Sequence, residues 1–250
     1  MNKKQLAVLL ICSLILSLIT YYDACAKNWH DGYRGSIAGE KGGLVLVFNE
    51  DKVSGVVYFD AHSNDIPVEG EINGRSIMLK SDKGLLINAS FQEHDLRYGD
   101  EELGREVIKG KVISNEIRGD IYVVSDYGSA GSIESRYAIA GADNSEMVDA
   151  FAQQFKDAVL NKNREAVAKM LHYPLRFDDG EIEDRDEFIK RFDEIFYKEF
   201  LEAFKSANPK YMFSKSTGIM MNSDDNVFWI WISGKPLVIS IFTRESKLKK

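Results

Sequence analysis

The chain has 250 residues, 44% hydrophobic and 28% charged, ordinary proportions for one or two globular domains. Its formal net charge of −7 argues against nucleic acid as the main partner, because phosphate binding needs a concentrated basic surface. The only basic cluster, "RESKLKK" at Arg244–Lys250, reads as a solvated tail.

The N-terminus reads as a leader. A short basic start, "MNKKQ", precedes the uncharged run Leu6–Thr20, and the small-x-small triplet Ala24-Cys25-Ala26 follows. That order is the pattern of a secretory signal peptide cut after Ala26, and the apolar run is shorter than the roughly 20 residues of a spanning helix. Retention as an anchor stays open. Cys25 also raises a lipoprotein route, although Tyr22 stands where a lipobox expects leucine. Cleavage after Ala26 removes both cysteines, Cys12 and Cys25, and so any disulfide, thiol nucleophile or cysteine metal site. The expected address is periplasmic or secreted.

From Tyr33 to Ala140 short alternating runs between glycine, asparagine and aspartate turns predict strands, starting near Tyr33, Leu44, Val53, Ile66, Arg75, Leu85, Val107, Ile117 and Ile133. The pattern apolar-x-Gly-x-apolar recurs in "YRGSI", "VSGVV", "VEGEI", "IKGKV" and "IRGDI". Each glycine then shares a strand face with two bulky neighbours, which predicts coiling, bulges or close approach of another backbone. The fold expected is an all-β antiparallel domain, a coiled sheet or partly closed barrel. Asn73-Gly74 suits a two-residue hairpin, Ile113–Ile117 a three-residue loop, and the polar stretch Glu93–Glu106 a long mobile loop.

At Ala142 the rhythm becomes helical. Asp143 and Glu146 resemble a capping box ahead of an apolar face containing Val148, Phe151, Phe155 and Val159. A second short helix ends near Leu171, where Pro174 forces "YPLRF" to be extended. Asp184 caps one long helix with the inward residues Phe188, Phe192, Phe196, Phe200 and Phe204, ended by Pro209. The strands "YMFSKSTGIMM", "NVFWIWIS" and "PLVISIFT" follow.

The segments "LHYPLRF", "DRDEFIKRFDEIF" and "GIMM…NVFWIWIS…LVISIF" together resemble the nuclear-transport-factor-2-like, or ketosteroid-isomerase-like, fold as it occurs in exported bacterial proteins. The resemblance covers roughly residues 143–244. It implies an α+β cone, a curved sheet wrapped around a long helix, whose mouth holds small apolar molecules or an active site. It also makes a homodimer through the open sheet face an expectation. The organisation expected is therefore a signal peptide over 1–26, a β domain over 27–141, the cone-shaped domain over 142–244 and a basic tail over 245–250.

The residues expected to line the cone are Tyr173, Phe192, Phe196, Tyr197, Trp229 and Trp231, an aromatic set of the kind that binds small molecules. Catalytic constellations are missing from the sequence: there is no G-x-S-x-G elbow, no H-E-x-x-H pair and no phosphate-binding glycine loop. The acidic run Asp178–Glu187 lacks the calcium-loop pattern, and its turn and cap roles already explain it. The reading that follows is a non-enzymatic exported protein, without metal or cofactor, that binds a small apolar or amphipathic ligand or an envelope protein. Two alternatives stay open. One is a hydrolase or isomerase using His172 or Asp193 as base and Tyr173 or Tyr197 as donor. The other is an inhibitor acting through the Glu93–Glu106 segment.

Overall fold

The computed structural model describes residues 29–60, 62, 64–98, 101–178, 180–222 and 227–243, with side chains at 94–98, 101–105 and 130 excluded. The leader, the basic tail and Asp179 of the Asp179-Gly180 turn lie outside the described residues.

Eight strands come first: β1 (Trp29–Ile37), β2 (Glu40–Asn49), β3 (Lys52–Phe59), β4 (Ile66–Asn73), β5 (Ser76–Lys80), β6 (Leu86–Tyr98), β7 (Glu101–Ile113) and β8 (Arg118–Ala130). Each pairs antiparallel with the next, and β1 pairs back onto β8, so the barrel is closed rather than partly open. Closure removes sheet edges. Period-2 alternation sends Tyr33, Ile37, Leu44, Leu46, Val57, Leu79, Ile87, Ile108, Ile121 and Val123 to the interior, where they form one core.

The recurrent glycines explain how so small a barrel closes. A Cβ on Gly35, Gly55, Gly70 or Gly110 would lie 1.8–2.2 Å from a carbonyl oxygen of the neighbouring strand, and one on Gly119 would lie 2.7 Å from Ala38 Cα. The expectation of close backbone approach is met, because these are the positions where strands bend across one another.

Four local expectations are corrected. The β4–β5 hairpin pairs Asn73 with Ser76, so its two-residue loop is Gly74-Arg75, with Gly74 at φ +60°. Glycine at the first loop position carries the required φ, and asparagine is left in the strand. Ile113 pairs with Arg118, which makes that loop four residues long. Most of Glu93–Glu106 is not a loop: β6 and β7 stay paired from Leu86↔Ile113 to Tyr98↔Glu101. Charged residues occupy strand positions there, and polarity alone concealed the ladder. The strand expected at Ile133 is absent; turns and a short 3₁₀ segment, Ala138–Ala140, connect the barrel to the rest.

The second unit contains α1 (Ser145–Leu160), α2 (Arg164–Lys169), β9 (Leu171–Phe177), β10 (Gly180–Ile182), α3 (Arg185–Ile195), α4 (Lys198–Ser206), β11 (Phe213–Lys215), β12 (Gly218–Asn222), β13 (Phe228–Ile232) and β14 (Val238–Thr243). Its six-stranded sheet runs β10-β9-β14-β13-β12-β11, with β9 and β14 parallel. β9 therefore lies inside the sheet, not at an edge. Asp184 caps α3, its side chain accepting from Glu187 N at 2.9 Å. Asn144, not Asp143, caps α1 by accepting from Met147 N.

The expected long helix is two helices. Tyr197 is extended (φ −68°, ψ 171°), which separates α3 from α4. The break redirects the chain so that Phe200 lies 4.7 Å from Phe228 of β13 and Phe204 lies 6.2 Å from Phe155 of α1, centroid to centroid. Phe155, Phe188, Phe192, Phe200, Phe204 and Phe228 are all fully buried and, with Phe196, fill the space between helices and sheet.

Candidate functional site

The two units meet along a seam built from tyrosines and one arginine. A bulge where β8 passes β1 (Gly32 opposite Tyr127, Tyr33 opposite Ser125) reverses the side-chain alternation of β8. Tyr127 therefore leaves the barrel interior and joins Val45, Tyr58 and Tyr211 in a separate buried cluster. Gly43 makes room for this: a Cβ there would lie 2.5 Å from the Tyr58 hydroxyl. Tyr58 packs against Tyr211 with ring centroids 4.9 Å apart. The Arg136 guanidinium lies 4.9 Å from the Tyr211 ring and 5.0 Å from that of Tyr137.

Hydrogen bonds lock this stack. Arg136 Nη1 donates to the Ile133 carbonyl at 2.8 Å and Nη2 donates to Asp149. The Tyr137 hydroxyl donates to Asp149 Oδ1 at 2.8 Å and accepts from Met212 N at 2.9 Å. Tyr211 donates to Asp65 Oδ2 at 2.6 Å, and Asn208 Nδ2 to Asp60 Oδ1 at 3.1 Å, both across the seam. Burial pushes the Asp149 carboxyl up to about 6 in spite of Arg136 and Tyr137 beside it. It also raises the Tyr137 and Tyr211 phenols well above their ordinary range, which keeps them protonated as donors. His30, fully buried, faces the Gly131 carbonyl at 2.9 Å through Nδ1, and burial lowers its pKa. A cavity of about 680 Å³ opens beside the seam, walled by Tyr58, Asp65, Arg136, Asp149 and Tyr211. Its aromatic faces are already occupied by one another and by Arg136, so this side serves as a joint.

A second cleft, of about 720 Å³, opens elsewhere between the units, and Asp60 lines both. One wall belongs to the barrel: Arg34 and Ser36 of β1, Lys41 of β2 and Tyr122 of β8, with Ser125 and Asp126 at the β8 bulge. The other wall is the sheet face turned away from the helices: Phe213, Met220, Asn222 and Trp229. Alternation along β13 buries Phe228, Ile230 and Ile232 against the helices and leaves Trp229 and Trp231 half-buried on this opposite face. Arg34 and Asp60 approach to 3.9 Å at the cleft.

The six residues expected to share a cone pocket are therefore divided. Phe192 and Phe196 touch, at 4.8 Å, as interior packing. Tyr197 lies beside Phe200 at 6.1 Å. Tyr173 donates to the Ala168 carbonyl at 3.1 Å. Trp231 lies under Lys215, whose ammonium is 4.6 Å from its ring, and only Trp229 walls the cleft. Of the conceivable catalytic groups, Asp193 and Tyr197 line one cavity of about 400 Å³ with Phe196, where Asp193 accepts from Arg164 Nη2 at 2.6 Å, while His172 is exposed and lies outside it. Sequence reasoning missed Arg136, Asp149 and Tyr211 altogether, since their partners lie up to 146 positions away in the chain.

Among the described residues no group of three or more His, Cys, Asp or Glu is placed to hold a metal ion, and no helix is long and apolar enough to cross a membrane. No family model, curated protein or solved structure matches this chain.

Proposed function

We propose that the chain is an exported, non-enzymatic binding protein whose ligand, a small amphipathic molecule, occupies the cleft walled by Trp229 and Tyr122. The observation that carries this reading is the cleft itself. Its volume of about 720 Å³ is that of a small-molecule site, and aromatic side chains from both units converge on it beside charged side chains of the barrel. Export rests on the leader pattern in residues 1–26. The order of helices and strands after residue 143, together with the resemblance of "LHYPLRF" and its companions, supports an NTF2-like cone for the second unit. Here that cone is a filled scaffold, and it offers its outer sheet face to the ligand.

Native mass spectrometry of protein purified from envelope and medium fractions tests both parts. The expected result is a chain beginning at Lys27, with a co-purifying small molecule lost from Trp229→Ala. A full-length cytoplasmic chain would refute export. An unliganded protein whose Trp229→Ala variant behaves identically toward envelope extract would refute the binding role.

A further inference from the structure

We infer that the α+β unit carries a second binding site, for a small molecule that joins a phosphomonoester to an apolar group. It is the cavity of about 400 Å³ where α1 ends and α4 begins. Its lining comes from the helices and the turns between them, with no strand residue, and it shares none with the cleft at Trp229. The site is therefore independent of the cleft.

The argument begins with charge. The chain is acidic, at −7, yet this cavity is lined by the cations Lys162, Arg164, Lys198 and Lys205 against the acids Asp193 and Glu202. Both acids are already matched. Arg164 Nη2 donates to Asp193 Oδ2 at 2.6 Å, and Lys205 Nζ donates to Glu202 Oε1 at 2.9 Å. Lys162 and Lys198 remain, and neither belongs to an ion pair among the described residues; Lys198 acts on Glu202 only from beyond ion-pair distance, behind Lys205. Two like charges facing one cavity repel, and a dianion relieves that repulsion where a neutral ligand does not. A phosphomonoester is close to dianionic at neutral pH, its second pKa being about 6. Lysine holds it as a point charge and needs no planar fork.

The floor asks for more than an anion. Phe196 is buried there, and Leu160 and Leu201 are half-buried, all three packed on the core of the unit. What they still expose can be withdrawn from water only by an apolar part of the ligand. A cavity of this volume takes a ring or a short acyl group beside a phosphate. Lys162 and Lys198 are exposed at the rim, so the phosphate sits outermost and the apolar group lies inward.

The test is calorimetric titration of protein expressed from its full coding sequence, at low ionic strength because exposed charges are screened by salt. Phenyl phosphate and the soluble lipid dihexanoyl phosphatidic acid are the probes, and whichever binds more tightly tells a soluble phosphomonoester from a lipid headgroup as the source. Inorganic phosphate, benzoate and benzyl alcohol are the comparisons. At least one of the two probes is expected to bind, about tenfold more weakly to Lys162→Gln and to Lys198→Gln. Circular dichroism of both variants separates lost binding from lost fold. Lys190→Gln, an exposed change on α3 outside the cavity, should bind normally. Affinity should fall as the pH drops below 6 and the phosphate takes up its second proton. Inorganic phosphate binding as tightly as both probes overturns the role of the apolar floor, and benzoate doing so overturns the match to a dianion. Equal weakening by Lys190→Gln reduces the effect to net charge and overturns the site. Binding that survives both cavity variants and is lost from Trp229→Ala belongs to the cleft and overturns the site as well, as does the absence of binding by either probe.

Discussion

Tyr58 of the barrel and Tyr211 of the α+β unit stack with ring centroids 4.9 Å apart, and this pair is the centre of the joint between the two units. Gly43 packs against the hydroxyl end of Tyr58, and the Arg136 guanidinium lies 4.9 Å from the Tyr211 ring, so both rings sit in packed surroundings. Tyr211→Ala should cost about 3 kcal/mol, the scale of aromatic truncation at buried sites. It should also split unfolding into two transitions, observed as non-coincident near-UV and far-UV signals in urea. Tyr211→Phe removes only the hydrogen bond to Asp65 and should cost about 1 kcal/mol with cooperativity retained.

Barrel closure depends on Gly70. A Cβ there would stand 1.8 Å from the Met78 carbonyl oxygen, and main chain cannot step aside as a flexible side chain can. Gly70→Ala should destabilise the protein by about 3 kcal/mol, the upper end of overpacking costs. Gly180→Ala is the control. Its nearest neighbour would be 3.9 Å away, so the change should stay within about 0.5 kcal/mol in the same denaturation assay.

Two buried groups give pH dependences of opposite sign. Asp149 is raised from 3.8 to about 6, so the folded state binds its proton more tightly than the unfolded chain does. Its contribution is fully present below pH 4 and is lost as pH rises through 6, a change of about 3 kcal/mol at most. His30 is lowered from 6.5 by burial, so its contribution is present above pH 6.5 and is lost as pH falls through its folded value. Stability measured by urea melts from pH 4 to pH 8 should lose its low-pH component of stabilisation in Asp149→Asn. In His30→Gln it should lose its decline on the acid side of 6.5.

The interior of the α+β unit should be closed to ligands in the native protein. Phe200 touches Phe196, Phe204 and Phe228, with centroids 4.7–5.5 Å away. Phe200→Ala should cost about 3–5 kcal/mol and leave an apolar void. Benzene should then bind the variant and not the parent, as a rise in melting temperature on adding benzene would report.

The glycine pattern made the barrel legible, because a glycine between bulky residues on one strand face has few uses other than backbone approach. The helix caps and phenylalanine spacing made the α+β unit legible as well. The break at Tyr197 was hidden: a stripe at three- and four-residue intervals looks the same whether the helix is continuous or bends to reach Phe228. The cleft was legible only through Trp229. Its other wall comes from Arg34, Lys41, Tyr122 and Asp126, residues that lie at separate points of the barrel sequence and meet the tryptophan only through tertiary packing. The Arg136–Asp149 pair gave no local signal, since a single arginine in "SRYA" carries no period and no spacing.

In both units the strand that starts the unit ends up hydrogen-bonded to the strand that finishes it, β1 with β8 and β9 with β14. β14 separates β9 from β13, so the second sheet has a gap at its centre until residues Val238–Thr243 arrive. A chain emerging from a ribosome or a translocation pore N-terminus first can close its barrel while the second unit is still unpaired. The joint at Tyr211 is then made late, onto a barrel that already exists.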